Sequence, residues 1–103
     1  MRFSSYINEG ANEFSITVKA NSPEEAFRKA IDHARYESGH GGYSGTIAEK
    51  SKFIMVTTPK GKNPQEYAQE LMDDDPRISD KWGPAGCIKL ENGDYFFFGW
   101  ASS

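Results

Sequence analysis

Apolar and polar residues alternate near the start of the chain. Phe14, Ile16 and Val18 are separated by single polar residues, which is the spacing of a strand with one buried face. Residues 3–8 alternate less regularly, and the turn-forming cluster 9–12 lies between the two segments. The pattern predicts an antiparallel hairpin at this end of the chain.

Two segments have the periodicity of helices with one apolar face. The first is predicted at 23–38 with Asn21 or Ser22 as its cap, and the second at 64–73 with Asn63 as its cap. Each begins with proline, which is favoured at the first helical position. The inward-facing residues are predicted to be Ala26, Phe27, Ala30, Ile31 and Ala34 in the first helix and Tyr67, Ala68 and Leu71 in the second. These stripes predict that both helices pack on a sheet.

Four further segments are predicted to be strands, at 46–49, 53–57, 87–90 and 95–100. The uninterrupted apolar run at 53–57 indicates a central strand. An Asn-Gly pair at 92–93 predicts a tight hairpin between the last two strands. The last strand is the most apolar, which indicates either burial on both faces or an edge that pairs with another chain. The second alternative predicts a homodimer.

The predicted order of elements is ββαββαββ. It describes an α+β domain over residues 1–103, a two-layer sandwich with a mainly antiparallel sheet and both helices on one face. A shift of 41 residues superimposes the two helix starts and places the Gly-x-x-Gly at 42–45 on that at 83–86. This echo suggests an internal repeat in which both glycine loops let the backbone approach another surface closely and flank a common cleft.

Composition narrows the class of protein. The chain has 103 residues, of which 14% are aromatic and 26% charged, which argues against a disordered chain or a coiled coil. No apolar run is long enough for a membrane helix, and the first residues do not resemble a signal peptide. Cys87 is the only cysteine, so an intrachain disulfide is excluded and a reducing cytoplasm is expected.

Charge is unevenly distributed, although the net charge is only −3. Residues 49–62 hold four lysines and one acid, whereas residues 63–80 hold six acids and one base. The lysines are Lys50, Lys52, Lys60 and Lys62. One interpretation is a solvated loop beside a solvated helix face. The other is a bipolar surface that steers a charged partner.

Catalytic and metal-binding patterns are weak. His40 with Ser44 or Cys87 would be the candidate nucleophilic pair, but Ser44 directly precedes a glycine and does not form Gly-x-Ser-x-Gly. His33 and His40 form no His-Glu-x-x-His motif, and the acidic run at 73–75 lacks the spacing of an EF-hand. The sequence therefore predicts no metal site and no cofactor, and an enzyme is the least favoured class.

Two loops have the composition of contact surfaces. The glycine-rich loop 39–45 is not a P-loop, and it is predicted either to present its side chains or to be a structural turn. The loop 77–86 carries a tryptophan beside Gly-Pro, with basic residues nearby, and such a tryptophan is either an interface anchor or a cover for the core. The candidate ligand- or partner-binding residues are His40, Gly42, Tyr43, Ser44, Arg77, Lys81 and Trp82.

The strings Gly-His-Gly-Gly-Tyr-Ser-Gly-Thr-Ile-Ala-Glu-Lys at 39–50 and Lys-Trp-Gly-Pro-Ala-Gly-Cys-Ile at 81–88 resemble small proteins of bacteriophage type. The resemblance implies no established activity and no catalytic residues. It favours a compact accessory protein that binds a host component and inhibits it, as small inhibitors of host defences do.

Two function hypotheses follow from these observations. The first is a non-enzymatic binding protein that contacts a host protein or a small ligand through its glycine loops or its acidic segment. The second is a nucleotide- or nucleic-acid-binding module that uses the Lys50–Lys62 patch with Tyr43 and Trp82. Contact with a membrane is not expected.

Overall fold

A computed structural model of the protein describes residues 11–38 and 46–102, and the chain adopts an α+β fold. The elements in chain order are β1 (Ala11–Val18), α1 (Pro23–Ser38), a 3₁₀ helix (Ile47–Glu49), β2 (Phe53–Val56), α2 (Pro64–Asp74), α3 (Pro76–Ser79), β3 (Ala85–Lys89) and β4 (Tyr95–Ser102). The strand predicted at 3–8 lies outside the described residues. Both long helices and the strands β1, β2, β3 and β4 confirm predicted elements, but β1 begins at Ala11, so the predicted turn at 9–12 is wrong for its last two residues.

The sheet formed by the described strands has the order β1-β4-β3-β2. β4 runs antiparallel to both of its neighbours, whereas β2 runs parallel to β3. The sheet is therefore mixed. The prediction of a central strand at 53–57 is wrong for the sheet that the described residues form, in which β2 lies at an edge. The strand predicted at 46–49 is also wrong: the Thr46 hydroxyl accepts a hydrogen bond from the Ala48 N–H at 3.2 Å and caps a short 3₁₀ helix.

The two long helices lie on opposite faces of the sheet, which corrects the predicted two-layer sandwich. α1 packs with Phe97 of β4, whereas α2 packs with Phe96 and Phe98, and neighbouring residues of a strand point to opposite faces. The topology explains this arrangement. β1, β2 and β3 run in the same direction, and the chain crosses the sheet from β1 to β2 and then steps back to β3. Crossover connections between parallel strands are right-handed. Because the connection from β2 to β3 runs along the sheet in the opposite direction to that from β1 to β2, its helix, α2, lies on the opposite face from α1.

The core under α1 combines small helix residues with large strand residues. Ala26 and Ala30 are fully buried, so the helix backbone lies close to the sheet. The Phe97 ring is also fully buried and lies 5.6 Å from the ring of Phe27 and 5.7 Å from that of Phe53. This cluster confirms the predicted inward stripe of the first helix.

The core under α2 is built around two stacked rings, those of Phe96 and Phe98, whose centroids are 5.7 Å apart. Met72 of α2 and Ile78 of α3 close this side. Gly86 leaves the space that the Phe98 ring occupies, since a Cβ there would lie 2.4 Å from a ring carbon. The strand β4 is thus buried on both faces, one of the two predicted alternatives. β4 offers no free edge to a second copy, because it pairs with a strand on each side, and the homodimer itself stays a prediction.

The helix starts agree with the sequence. The Ser22 hydroxyl accepts the Glu25 N–H at 3.1 Å, and the Asn63 side chain accepts the Gln65 N–H at 2.8 Å. Such caps each stabilise a helix by about 1 kcal/mol. The internal repeat predicted from the 41-residue shift is not supported beyond the helix starts. That shift places Ile47–Glu49 on β3, but the chain forms a 3₁₀ helix there. Within the described part of the chain, no helix is long and apolar enough to cross a membrane.

Candidate functional site

The loop between α3 and β3, residues 80–84, brings together two of the predicted site residues. The side chain of Trp82 is 62% exposed. The ammonium of Lys81 lies over its indole, 5.3 Å from the ring centroid, at the distance of a cation–π contact. The loop therefore offers an apolar surface bordered by a positive charge.

The buried side chain of Lys50 hydrogen-bonds to the backbone of this loop. Lys50 is 6% exposed, and its Nζ donates to the carbonyl oxygens of Lys81 at 2.8 Å and Gly83 at 2.7 Å. Burial lowers the pKa of the Lys50 ammonium, while Asp80 and Glu49 oppose that shift. A buried ammonium with two carbonyl partners thus fixes the backbone on both sides of Trp82.

Further contacts restrain the same turn. A carboxylate oxygen of Asp80 accepts the Trp82 N–H at 2.9 Å, and the Asp80 carbonyl accepts the Gly83 N–H at 2.9 Å. A Cβ at Gly83 would lie 2.3 Å from the carbonyl oxygen of Arg77, so only glycine fits. Gly83 and Gly86 each lie close to another part of the chain, although neither residue has a positive φ, and the approach of these glycines to a partner surface stays a prediction. The conformation that presents Trp82 is therefore set before any partner binds.

A cavity of about 290 Å³ lies beside the loop. Its walls come from the segments that precede β2 and β3, namely Glu49, Lys50, Ser51, Lys52, Lys81, Trp82, Gly83 and Pro84. The size suits a single side chain of a partner or a small molecule, and the walls combine an indole with ammonium groups, one hydroxyl and one carboxylate. We call this the Trp82 cavity.

The other predicted site residues do not join this cluster. The guanidinium of Arg77 forms two hydrogen bonds with the Asp75 carboxylate, at 2.9 and 3.2 Å, and these bonds hold the pKa of Asp75 below its usual range. Asp75 also caps α3 by accepting the Arg77 N–H at 2.9 Å. Arg77 is thus engaged locally. His40, Gly42, Tyr43 and Ser44 lie outside the described residues, as does the glycine loop that was expected to flank a shared cleft.

The lysines predicted to form one patch have different environments. Lys50 points inward, and Lys62 pairs with Glu70 at 2.6 Å, a contact that raises the pKa of Lys62. Lys52 and Lys60 are exposed. Lys50 is buried and cannot contact a nucleic acid, so the four lysines do not form one nucleic-acid-binding surface. Sequence reasoning missed the structural role of Lys50 because this lysine stands in a charged cluster with the composition of a solvated loop.

A second cavity, of about 750 Å³, lies at the carboxyl ends of the parallel strands β2 and β3. The segment 55–62 forms one wall and the segment 89–92 the other, with Pro64 between them. The Thr58 hydroxyl oxygen is buried and has no hydrogen-bond partner among the described residues. The sequence alone did not indicate this cavity, because it exists only through the parallel pairing of β2 with β3. We call it the β2 carboxyl-end cavity.

Cys87 is not placed for nucleophilic catalysis. Its side chain is fully buried in β3, and burial, with a smaller contribution from Glu24, raises the pKa of the thiol to about 12. A thiol of this pKa holds almost no thiolate at neutral pH. Across residues 11–38 and 46–102, no group of three histidine, cysteine, aspartate or glutamate side chains could hold a metal ion.

Comparison with known proteins adds no further constraint on the site. The chain matches no protein-family model, and neither the curated proteins nor the solved structures contain a match to it.

Proposed function

We propose that this protein is a non-enzymatic binding protein whose contact surface is centred on Trp82. One observation carries the proposal: an exposed tryptophan stands on a loop that the buried ammonium of Lys50 fixes from inside. Tryptophan is enriched among the residues that dominate binding energy. A loop already held in one conformation loses little entropy on binding.

Two further observations favour binding over catalysis. The thiol of Cys87 is buried, which removes one of the two nucleophiles considered from the sequence. The Trp82 cavity lies beside the exposed indole and offers room for one partner side chain. Together they favour a contact surface at Trp82 over a nucleophilic site built on Cys87.

The proposed partner is a protein of a bacterial host, and the proposed effect is inhibition of a defence component. This part of the proposal rests on the resemblance of segments 39–50 and 81–88 to small bacteriophage-type proteins. Trp82 belongs to the second of those segments. The proposed contact surface therefore includes part of the segment that carries the resemblance.

The test is affinity capture from a bacterial lysate with three baits: the unmodified protein, Trp82→Ala and Tyr36→Ala. Tyr36 is a matched control, because it is 86% exposed and stands on α1 rather than on the fixed loop. We expect the same protein to be retained by the unmodified chain and by Tyr36→Ala, and to be lost with Trp82→Ala. Retention that is equal on all three baits, or no retention on any of them, would overturn the proposal.

A further inference from the structure

The outer edge of β2 is open in the described part of the chain. β2 is the last strand in the order β1-β4-β3-β2, and it pairs only with β3. Its sequence, Phe-Ile-Met-Val, is apolar and rich in residues that favour strands. An edge strand of this kind is a template on which another chain can pair.

The register shows which backbone groups face that edge. The Ala85 N–H donates to the Lys52 carbonyl at 3.1 Å, so the backbone of Lys52 points toward β3. Backbone groups alternate sides along a strand, so those of Ile54 also point toward β3. The N–H and C=O groups of Phe53 and Met55 therefore point away from the sheet. They form two donor–acceptor pairs to which one added strand can bond.

Side-chain exposure along the edge agrees with an open surface. Met55 is 47% exposed, and the other three residues of β2 are partly exposed, whereas Cys87 and Ile88 of the neighbouring strand are buried. A cavity lies at each end of β2, the Trp82 cavity before the strand and the β2 carboxyl-end cavity after it. A chain laid along the edge would have a cavity for a side chain at either end.

The charges around the edge are positive on balance. The cavity before β2 is lined by Lys52 and Lys81 with one acid, Glu49, and the cavity after it by Lys60 and Lys89 with one acid, Glu91. Lysines at an edge discourage pairing with a second copy of the same chain, because both copies would bring the same net positive charge to the contact. The same lysines attract an acidic segment at both of its ends.

We propose that β2 accepts an extended acidic segment of a partner protein as an added strand. The segment would hydrogen-bond to the backbone of Phe53 and Met55, place acidic residues at both lysine-bearing ends, and set one side chain in the Trp82 cavity. This is recognition by strand addition, in which main-chain bonds supply affinity and the flanking cavities supply specificity. The proposal rests on the proposed function only in that Trp82 marks one end of the contact.

The probe is a mixture of octapeptides with two aspartates at each end and randomised central residues, followed in amide NMR spectra of the full chain. We expect the largest shifts at the amides of Phe53 and Met55. Replacing two lysines in Lys52→Glu/Lys60→Glu should weaken binding at least about tenfold. The matched control Arg28→Glu/Arg35→Glu reverses the same number of charges on exposed positions of α1, and it should change affinity less than about twofold.

A backbone variant tests the strand pairing itself. Met55→Pro removes an N–H that the sheet does not use, and proline is tolerated on edge strands at such positions. We expect it to abolish binding of the peptides while the thermal unfolding transition is kept. If this variant does not fold, peptides N-methylated at alternate positions serve instead, because they lack the donors that the edge requires and should not bind.

The spectra separate the two proposals. Shifts at the Trp82 indole without shifts at Phe53 and Met55 would overturn strand addition and leave Trp82 as the contact. Shifts at β2 without any at Trp82 would support strand addition and count against Trp82 as an anchor. No shift at β2 with any peptide would overturn strand addition, as would concentration-dependent changes there without peptide, because a second copy would then occupy the edge.

Discussion

β4 and β2 are both apolar strands of one sheet, and they differ in how much of each is covered. β4 has a strand on each side and a helix-bearing core on each face, and its three consecutive phenylalanines are buried. Among the described residues, β2 has a strand on one side only, and its Met55 is about half exposed. The centre strand buries the larger apolar side chains, whereas the edge strand leaves backbone and apolar surface for another chain.

The difference also extends to the ends of the two strands. β4 follows the tight turn at Asn92-Gly93, where Gly93 adopts a φ of 93° and the Leu90 N–H donates to the Asp94 carbonyl at 2.8 Å. β2 is preceded by Lys50 and followed by a lysine-bearing loop. A continuous apolar run is thus consistent with a centre or an edge strand, and the charges that flank it distinguish the two.

The largest expected effect comes from truncating the centre strand. Phe97→Ala should lower the free energy of unfolding by about 3–5 kcal/mol, because it leaves a cavity among the rings of Phe27 and Phe53. Met55→Ala at the edge should cost less than about 1 kcal/mol, since the side chain is already half in water. Urea unfolding of both variants checks the comparison. Equal losses would show that β2 is covered as fully as β4.

Lys50 should have the next largest effect. Lys50→Met keeps most of the apolar stem but leaves the carbonyls of Lys81 and Gly83 without their donor, and we expect a loss of about 2 kcal/mol. The neighbouring Lys52→Met changes an exposed side chain and should stay within about 0.5 kcal/mol of the unmodified protein. Denaturant midpoints of the pair provide the measurement. A Lys50→Met protein as stable as Lys52→Met would mean that the buried ammonium does not fix the loop.

A smaller effect is expected from pH. Burial lowers the pKa of Lys50 below its ordinary value of 10.5, so the folded state releases this proton more readily than the unfolded state. The desolvation penalty is fully present below the lowered pKa and is relieved as the pH rises through it toward 10.5. The stability of the unmodified protein relative to Lys50→Met should therefore increase as the pH rises toward 10.5. A relative stability that falls over this range would contradict the sign of the shift.

Much of the local structure could be predicted from the sequence. Both long helices begin with a proline that follows a polar residue, Pro23 in α1 and Pro64 in α2. The alternation from Phe14 to Val18 indicates β1, and the Asn-Gly pair at 92–93 indicates the last hairpin. These features depend on residues that are close together in the chain, where capping, turn geometry and periodicity act directly.

The errors concern contacts between distant parts of the chain. Strand order determines that β2 lies at the edge of the described sheet and that the helices lie on opposite faces. The periodicity of apolar residues does not indicate strand order. Trp82 and Lys81 were identified as candidates, but Lys50 was assigned to a solvated patch. Its role depends on a loop that lies more than thirty residues further along the chain.

The open edge of β2 can be measured most directly by amide hydrogen exchange of the protein alone. If the edge is open, protection alternates along the strand: Phe53 and Met55 exchange rapidly, whereas Ile54 and Val56, whose backbone faces β3, exchange slowly. The amide of Phe97 in β4 serves as the protected reference. Protection of all four β2 amides at the level of Phe97 would show that another strand already covers this edge, and would contradict the account.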